Sequence, residues 1–236
     1  MLAYVSAKKK ILQYIRRNSL QPGDRLPTEM ELSEQLDISR LTLREALNAL
    51  KSECVVHSVQ GKGTFVTCNY DQIADSLNMN YSVTEMIEVA GYKPGVAAFE
   101  KKLIKADCCI ANQLNIPEGV DVLMCARIRL ADGVPVVYSR DYLAPRLATQ
   151  FLGVTDEEVS LYTFIEEVCG IQFGACLTEL IPVAADEDLS EKLKVEVGLP
   201  LMKMRVNVND VFGVPLVYAS EYFRPDKFKF IVSRGR

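Results

Sequence analysis

The side chains best equipped for chemistry in this 236-residue chain are arginines and glycines at short spacings. Arg127 and Arg129 stand two apart in the apolar run Val122 to Leu130, so a strand would place both on one face and Met124, Ala126, Ile128 and Leu130 on the other. Guanidinium forks match carboxylate and phosphate, so the pair suits an anion pocket; it equally suits two exposed strand arginines paired with carboxylates across a sheet. Arg40, Thr42 and Arg44 form a second basic cluster, and Gln60-Gly-Lys-Gly63 a third, in which glycine permits positive backbone torsions and close approach to a phosphate backbone. Acid–base and metal chemistry have few parts. The one histidine, His57, reads as ordinary structure, and the seven cysteines (54, 68, 108, 109, 125, 169, 176) form no CxxC pair and read as reduced, mostly buried thiols. No catalytic residue, metal or cofactor is called for, and an enzyme is not expected.

Charge separates two regions. Residues 1 to 70 hold 10 Lys/Arg against 7 Asp/Glu, whereas the rest hold 17 against 24, which suggests nucleic acid as a partner at one end only. The chain lacks the uninterrupted apolar stretch of a membrane helix, and its opening residues lack a signal peptide's apolar core, so no membrane partner is expected and the cytoplasm is the default location.

The elements that must position the amino-terminal cluster follow from periodicity. Ile11, Leu12, Tyr14 and Ile15 recur at helical spacing between Ala7 and Asn18, and a Pro-Gly turn then breaks the helix. Thr28-Glu-Met-Glu31 reads as a capping box opening a second helix, and Ser39 caps a third whose inward stripe is Leu43, Ala46, Leu47 and Leu50. Two β-branched runs, Val55 to Val59 and Thr64 to Thr67, flank the glycine tip as a hairpin. Two short helices with a tight turn and a following hairpin make a winged helix-turn-helix plan. The run PGDRLPTEMELSEQLDISRLTLREALNAL followed by QGKGTFV resembles the DNA-binding signature of the GntR family of bacterial transcription regulators over about fifty residues. That resemblance implies operator contacts from Arg25, from Ser39, Arg40, Thr42 and Arg44, and from the wing residues Gln60, Lys62, Gly63 and Thr64. Cys54 departs from the family, which usually has glycine in the turn before the wing.

The remaining chain contains an internal repeat. Gly133-Val-Pro-Val-Val-Tyr-Ser-Arg-Asp-Tyr142 aligns with Gly213-Val-Pro-Leu-Val-Tyr-Ala-Ser-Glu-Tyr222 at an offset of 80, and Leu114 to Gly119 resembles Leu193 to Gly198 upstream. Each copy reads as helix end, glycine turn, strand, hairpin turn and strand, so an antiparallel sheet with helices on one face is expected, an α+β domain. In this alignment Asn207 and Asn209 stand where the first copy has Arg127 and Arg129. The pattern Tyr81 to Met86, Gly91 to Pro94, Arg127 to Pro135, Ser160 to Tyr162 and Tyr222 to Phe230 resembles the UTRA ligand-binding domain, the mark of the HutC-type branch of the GntR family, whose sensor shares the chorismate lyase fold. The resemblance implies an effector pocket built from Thr84, Arg127, Ser160 and Tyr162, with Arg129 nearby. Ser139 stands where sugar-phosphate sensors of the branch commonly place Glu, and Val217 where they place an acidic or polar group; strand alternation puts Asp141 and Glu221 on Ser139's side, as pocket lining or as surface charge.

The expected organisation is a DNA-binding domain over residues 1–68, a linker over 69–80, and an effector-binding and dimerisation domain over 81–236. The function expected is a ligand-responsive regulator, acting as a homodimer on palindromic operator DNA and tuned by a small anionic metabolite. A constitutive DNA-binding dimer without effector, or a lyase-like enzyme, are the alternatives.

Overall fold

A computed structural model describes residues 3–52, 54–67, 73–76, 81–157 and 159–231. Two compact units result: one takes the chain through Tyr81 with Glu85–Tyr92 and the stretch from Phe228, the other takes Ser82–Thr84 and Lys93–Lys227.

In the first unit, α1 (Ala3–Arg17), α2 (Glu29–Leu36) and α3 (Arg40–Ser52) precede a hairpin of β1 (Val56–Val59) and β2 (Gly63–Val66). Helix α1 begins four residues before the start read from periodicity. The capping box at Thr28 forms as expected, with the Glu31 carboxylate accepting from the Thr28 backbone N–H at 2.8 Å. Ser39 Oγ accepts the Thr42 N–H at 3.2 Å and starts α3. The predicted stripe Leu43, Ala46, Leu47 and Leu50 is buried with Ile11, Ile15 and Leu32, a core shared by all three helices and Val66 of the hairpin.

The stretch read as a linker is not wholly irregular. Ile73–Ser76 form β3, which pairs in parallel with β10 (Phe228–Ile231), Ile73 opposite Phe228; the flanking residues 69–72 and 77–80 lie outside those described. Helix α4 spans Val83–Val89.

The second unit is a six-stranded antiparallel sheet in the order β4 (Pro94–Lys105), β5 (Asp121–Ala131), β6 (Val134–Leu143), β9 (Pro215–Phe223), β8 (Pro200–Asp210), β7 (Phe173–Ala184). The repeat is visible as two strand–helix–strand–strand halves, with α5 (Cys108–Leu114) in the first and α8 (Glu187–Leu193) in the second. They meet at the central β6–β9 pair, where Arg140 faces Ser220, Tyr138 faces Tyr222 and Tyr142 faces Tyr218.

Two sequence expectations need correction here. Helices cover both faces of the sheet: α5 and α8 pack their Ile110, Leu114, Leu189 and Leu193 against the face carrying Val122, Ala126, Tyr138 and Tyr218. Against the other face lie α6 (Pro145–Leu152), whose last carbonyls, Phe151 and Leu152, accept from Lys101 at 3.2 and 3.1 Å, and the short helix α7 (Leu161–Thr163) continued by a π turn over Phe164–Val168. Halves joined by crossover segments on alternate sides of the sheet produce this arrangement; the repeated motif alone displays only α5 and α8. The second correction concerns register. Ser139 faces Arg127 on β5, whereas its repeat mate Ala219 faces Val206 on β8. The counterparts of Arg127 and Arg129 are therefore Val206 and Val208, not Asn207 and Asn209. The turn after β5 is the two-residue Asp132-Gly133, with φ of 49° and 81°, while Asp210 closes a longer turn by accepting the Phe212 and Val214 N–H groups at 2.9 Å. One extra residue there shifts the strand alignment from 80 to 79, and a one-residue slip exchanges the faces of a strand.

Candidate functional site

In the first unit, α3 presents Ser39, Arg40 and Arg44 as exposed side chains, with Thr42 half-buried through its hydroxyl contact to Ser39 at 2.8 Å. Glu29 on α2 holds Arg44, its carboxylate 2.7 Å from Nε, so this guanidinium is oriented before any ligand arrives. The hairpin completes the surface. Arg25 pairs with Phe65 as a bridge beside β2, and Leu26 N–H donates to the Thr64 carbonyl at 2.8 Å, fixing the Arg25 backbone to the wing. Gly63 has a φ of 119°, which favours glycine, and a Cβ there would stand 2.7 Å from Arg25 Nε, so any side chain would also push the guanidinium aside. Gln60 and Lys62 are exposed at the tip, and Thr64 shares a 2.8 Å hydroxyl contact with Ser58. Arg25 and the four wing residues border one cleft of about 300 Å³ facing α2. His57 serves the hairpin itself, stacked on Phe65 at 5.6 Å.

In the second unit both strand arginines are buried, Arg127 at 6% and Arg129 at 2% exposure, which removes the surface reading of the pair. The side chains of β5 alternate, so both guanidiniums lie on the α6–α7 side of the sheet. Asp141, across the sheet on β6 and 4% exposed, bonds Arg127 Nη2 at 3.2 Å and accepts the Ser139 hydroxyl at 3.3 Å. Arg127 Nη1 donates to the Val159 carbonyl at 3.2 Å, beside Ser160. Arg129 Nη2 donates to the Thr84 hydroxyl on α4. Tyr162 rests against Phe173 at 4.7 Å. All six residues expected at the effector site are thus found in this unit: Arg127 and Ser139 are joined through Asp141, and Arg129 directly to Thr84.

The electrostatics of the two cations diverge. Burial works against the charge on Arg127, but Asp141 outweighs it and holds the group above its ordinary pKa. Among the described residues no carboxylate is bonded to Arg129; burial first, and the neighbouring Arg127 charge second, pull it down to about 10, so it remains a cation at neutral pH. Burial likewise pushes the Tyr162 phenol well above its usual value, keeping it a hydroxyl donor. Three buried polar atoms, Arg127 Nε, Arg129 Nε and Ser160 Oγ, make no hydrogen bond among the described residues. The sequence leaves Asp141 open between pocket lining and surface charge; its burial and its pairing with Arg127 exclude the surface reading.

The cysteines require a correction. None of the six described forms a disulfide, but only Cys125 is buried; Cys54, Cys108 and Cys109 are exposed, and Cys68 lies outside the described residues. Cys108 and Cys109 occupy the first turn of α5, whose inward positions are taken by Ile110, Ala111 and Leu114. Among the described residues no helix is long and apolar enough to cross a membrane, and no group of His, Cys, Asp and Glu is arranged to hold a metal ion.

Comparison with known proteins matches a family to each part of the chain. Residues 3–66 match the bacterial regulatory proteins of the GntR family, and residues 89–229 match the UTRA domain. The chain is 27% identical to the HTH-type transcriptional repressor NagR of Bacillus subtilis, covering 97% of this chain and 93% of that protein. It is 30% identical to the mannosyl-D-glycerate transport/metabolism system repressor MngR of Escherichia coli, covering 99% and 96%. The crystal structure of PhnF from Mycobacterium smegmatis superposes with a TM-score of 0.63 at 25% identity, covering 92% of this chain and 95% of that one. These are regulators, not enzymes. The chain belongs to the GntR family of bacterial regulatory proteins, in its HutC-type branch: a helix-turn-helix transcription regulator with a UTRA ligand-binding domain.

Proposed function

We propose that this regulator represses transcription in the cytoplasm as a homodimer on inverted-repeat operator DNA, and that a small anionic metabolite bound at Arg127 and Arg129 changes its grip. Residues 1–68 read the DNA and residues 81–236 sense and dimerise. The observation that carries the effector class is the pair of buried guanidiniums with a single directly bonded carboxylate, surrounded by unpaired N–H and hydroxyl groups. An acidic ligand would satisfy those donors and relieve Arg129. MngR's name refers to mannosyl-D-glycerate, a carboxylate at neutral pH, which is consistent with an acidic effector here. On the DNA side, Arg25, Ser39, Arg40, Thr42, Arg44, Gln60, Lys62, Gly63 and Thr64 make the contacts, arginine forks reading guanine edges and the wing meeting the backbone.

The test has two parts. Selection of double-stranded fragments by the purified protein should enrich an inverted repeat with half-sites about one helical turn or a multiple of it apart, and Arg40→Ala should abolish the enrichment. A thermal-shift screen against phosphorylated and carboxylated metabolites should yield a hit lost in Arg129→Met. Enrichment of single half-sites would overturn the dimer, and hits confined to neutral or cationic compounds would overturn the anion.

A further inference from the structure

The opposite face of the same sheet, the side covered by α5 and α8, carries a cavity that the effector reading does not use. Its volume is about 360 Å³, and Met124, Ala126, Ile128 and Tyr138 form its floor, with Arg140 and Lys192 at its rim. Arg127 also borders the cavity, but strand alternation sends its side chain, like that of Arg129, off β5 toward the other face of the sheet.

The pseudo-symmetry of the domain supplies an internal control. With the corrected register, the second-half counterparts of Met124, Ala126 and Ile128 are Lys203, Arg205 and Asn207, facing Tyr222, Ser220 and Tyr218 as the first three face Tyr142, Arg140 and Tyr138. The counterpart of Lys192, one offset of 79 back, is Gln113. In the second half these positions are polar and tied to each other or to the adjacent strand: Arg205 bonds Glu179 at 2.7 Å and Asn207 donates to Gln113 at 2.5 Å. The same scaffold therefore carries bonded polar side chains in one half and, in the other, apolar ones that line a cavity.

Charge defines the occupant. Lys192 Nζ lies 4.6 Å and Arg140 Cζ 5.4 Å from the Tyr138 ring centre, and Arg140 Nε donates to the Tyr138 hydroxyl at 2.8 Å. Both cations share one carboxylate, Asp188, which is 3.8 Å from Arg140 Nη2 and ion-paired to Lys192. One positive charge is left over at the aromatic rim. Glu100 borders the cavity from β4, so a ligand's charge is steered toward the α8 side. We infer that this cavity is a second small-molecule site, distinct from the Arg127–Arg129 pocket, that takes an aromatic monoanion of one or two rings: the rings enter between Met124, Ala126 and Ile128, and the carboxylate or sulfonate meets Lys192 and Arg140.

Isothermal titration of the full chain with 2-naphthalenesulfonate, and with 2-naphthylmethylammonium as its charge-reversed counterpart, tests this. The sulfonate should bind with a sub-millimolar Kd, and the ammonium at least tenfold more weakly. Ala126→Arg, which installs the second-half side chain, should abolish sulfonate binding in a protein whose circular dichroism is unchanged. Lys192→Gln, the milder half-swap, should weaken it about tenfold, and it keeps the test decisive if Ala126→Arg fails to fold. Absence of sulfonate binding at millimolar concentration, equal binding of the ammonium, or unchanged binding in Lys192→Gln would each overturn the proposal.

Discussion

Replacing Asp141 by Asn keeps the shape of the buried cluster but removes the one carboxylate bonded to Arg127. The pair is 3.2 Å apart with side chains 7% and 6% exposed, so water screens it little. At an effective dielectric of about 20, the lost attraction is about 5 kcal/mol. Asp141 no longer bears its own desolvation cost in the variant, and Arg127 keeps its bond to the Val159 carbonyl. The net loss should therefore fall at the low end of the range for breaking buried pairs, about 3 kcal/mol. For a chain of this length that corresponds to a fall in Tm of about 6–12 °C. The informative step is rescue. Two uncompensated guanidiniums should attract an anion more strongly than the half-neutralised native pair, so sulfate at about ten times its Kd should return roughly 1.4 kcal/mol to the variant. Differential scanning fluorimetry of both proteins in sulfate, against chloride at matched ionic strength, separates this from the general stabilisation that sulfate confers. A drop of less than about 2 °C, or equal sulfate stabilisation of both proteins, would refute the claim that Asp141 is the internal counter-ion of an anion pocket.

Further outcomes are expected. Cys54 sits at φ 57°, in the left-handed region that costs a side chain about 1–2 kcal/mol, while glycine there costs about 0.5–1 kcal/mol in chain entropy; Cys54→Gly should therefore raise Tm by about 1–4 °C, and Cys54→Val should lower it. Lys62→Ala should weaken DNA binding and reduce the slope of log K against log salt by up to about one, measured by fluorescence anisotropy from low to moderate salt; an unchanged slope would remove Lys62 from the phosphate contacts. The Asp210 carboxyl is held below the usual carboxylate range, first by the Val214 N–H, against the opposing effect of burial, and also by Arg146. A depressed acid contributes stability above its ordinary pKa and loses it as pH falls through the folded value, so Asp210→Asn should lower Tm at pH 7 and flatten its decline toward acid.

The DNA-reading unit was legible in the sequence because its signals are local. Capping at Thr28 and Ser39, the Leu43–Leu50 stripe and the glycine tip each depend on residues within about four positions, and each appears in the fold. The sensor was legible in its parts but not in its assembly. The repeat is plain in Gly-Val-Pro, but carrying its offset of 80 into the preceding strand sets Arg127 and Arg129 against the wrong residues: a single extra turn residue after Asp210 changes the offset to 79, the spacing of Leu114 to Leu193 upstream, and reverses the face of the strand before it. The Arg127–Asp141 contact joins residues on adjacent strands, so alternation could place Asp141 on the right side but could not decide its burial, which depends on α6 and α7 packing above it. The pairing of β3 with β10 had no local signal, since each strand is four residues long and its partner lies at the far end of the chain.

That last pairing carries a consequence for how the protein is made. The residues facing each other in β3 and β10, Ile73 and Phe228 at one end, are separated by more than 150 positions. At about 5–20 residues per second, a ribosome that has finished β3 needs roughly 8–30 s more to deliver its partner. The helices and hairpin of residues 3–66 need no such wait, their pairings being short-range and their core self-contained. The nascent chain thus acquires a finished DNA-reading head early, while the strand that follows it waits for its partner until β10 has been made.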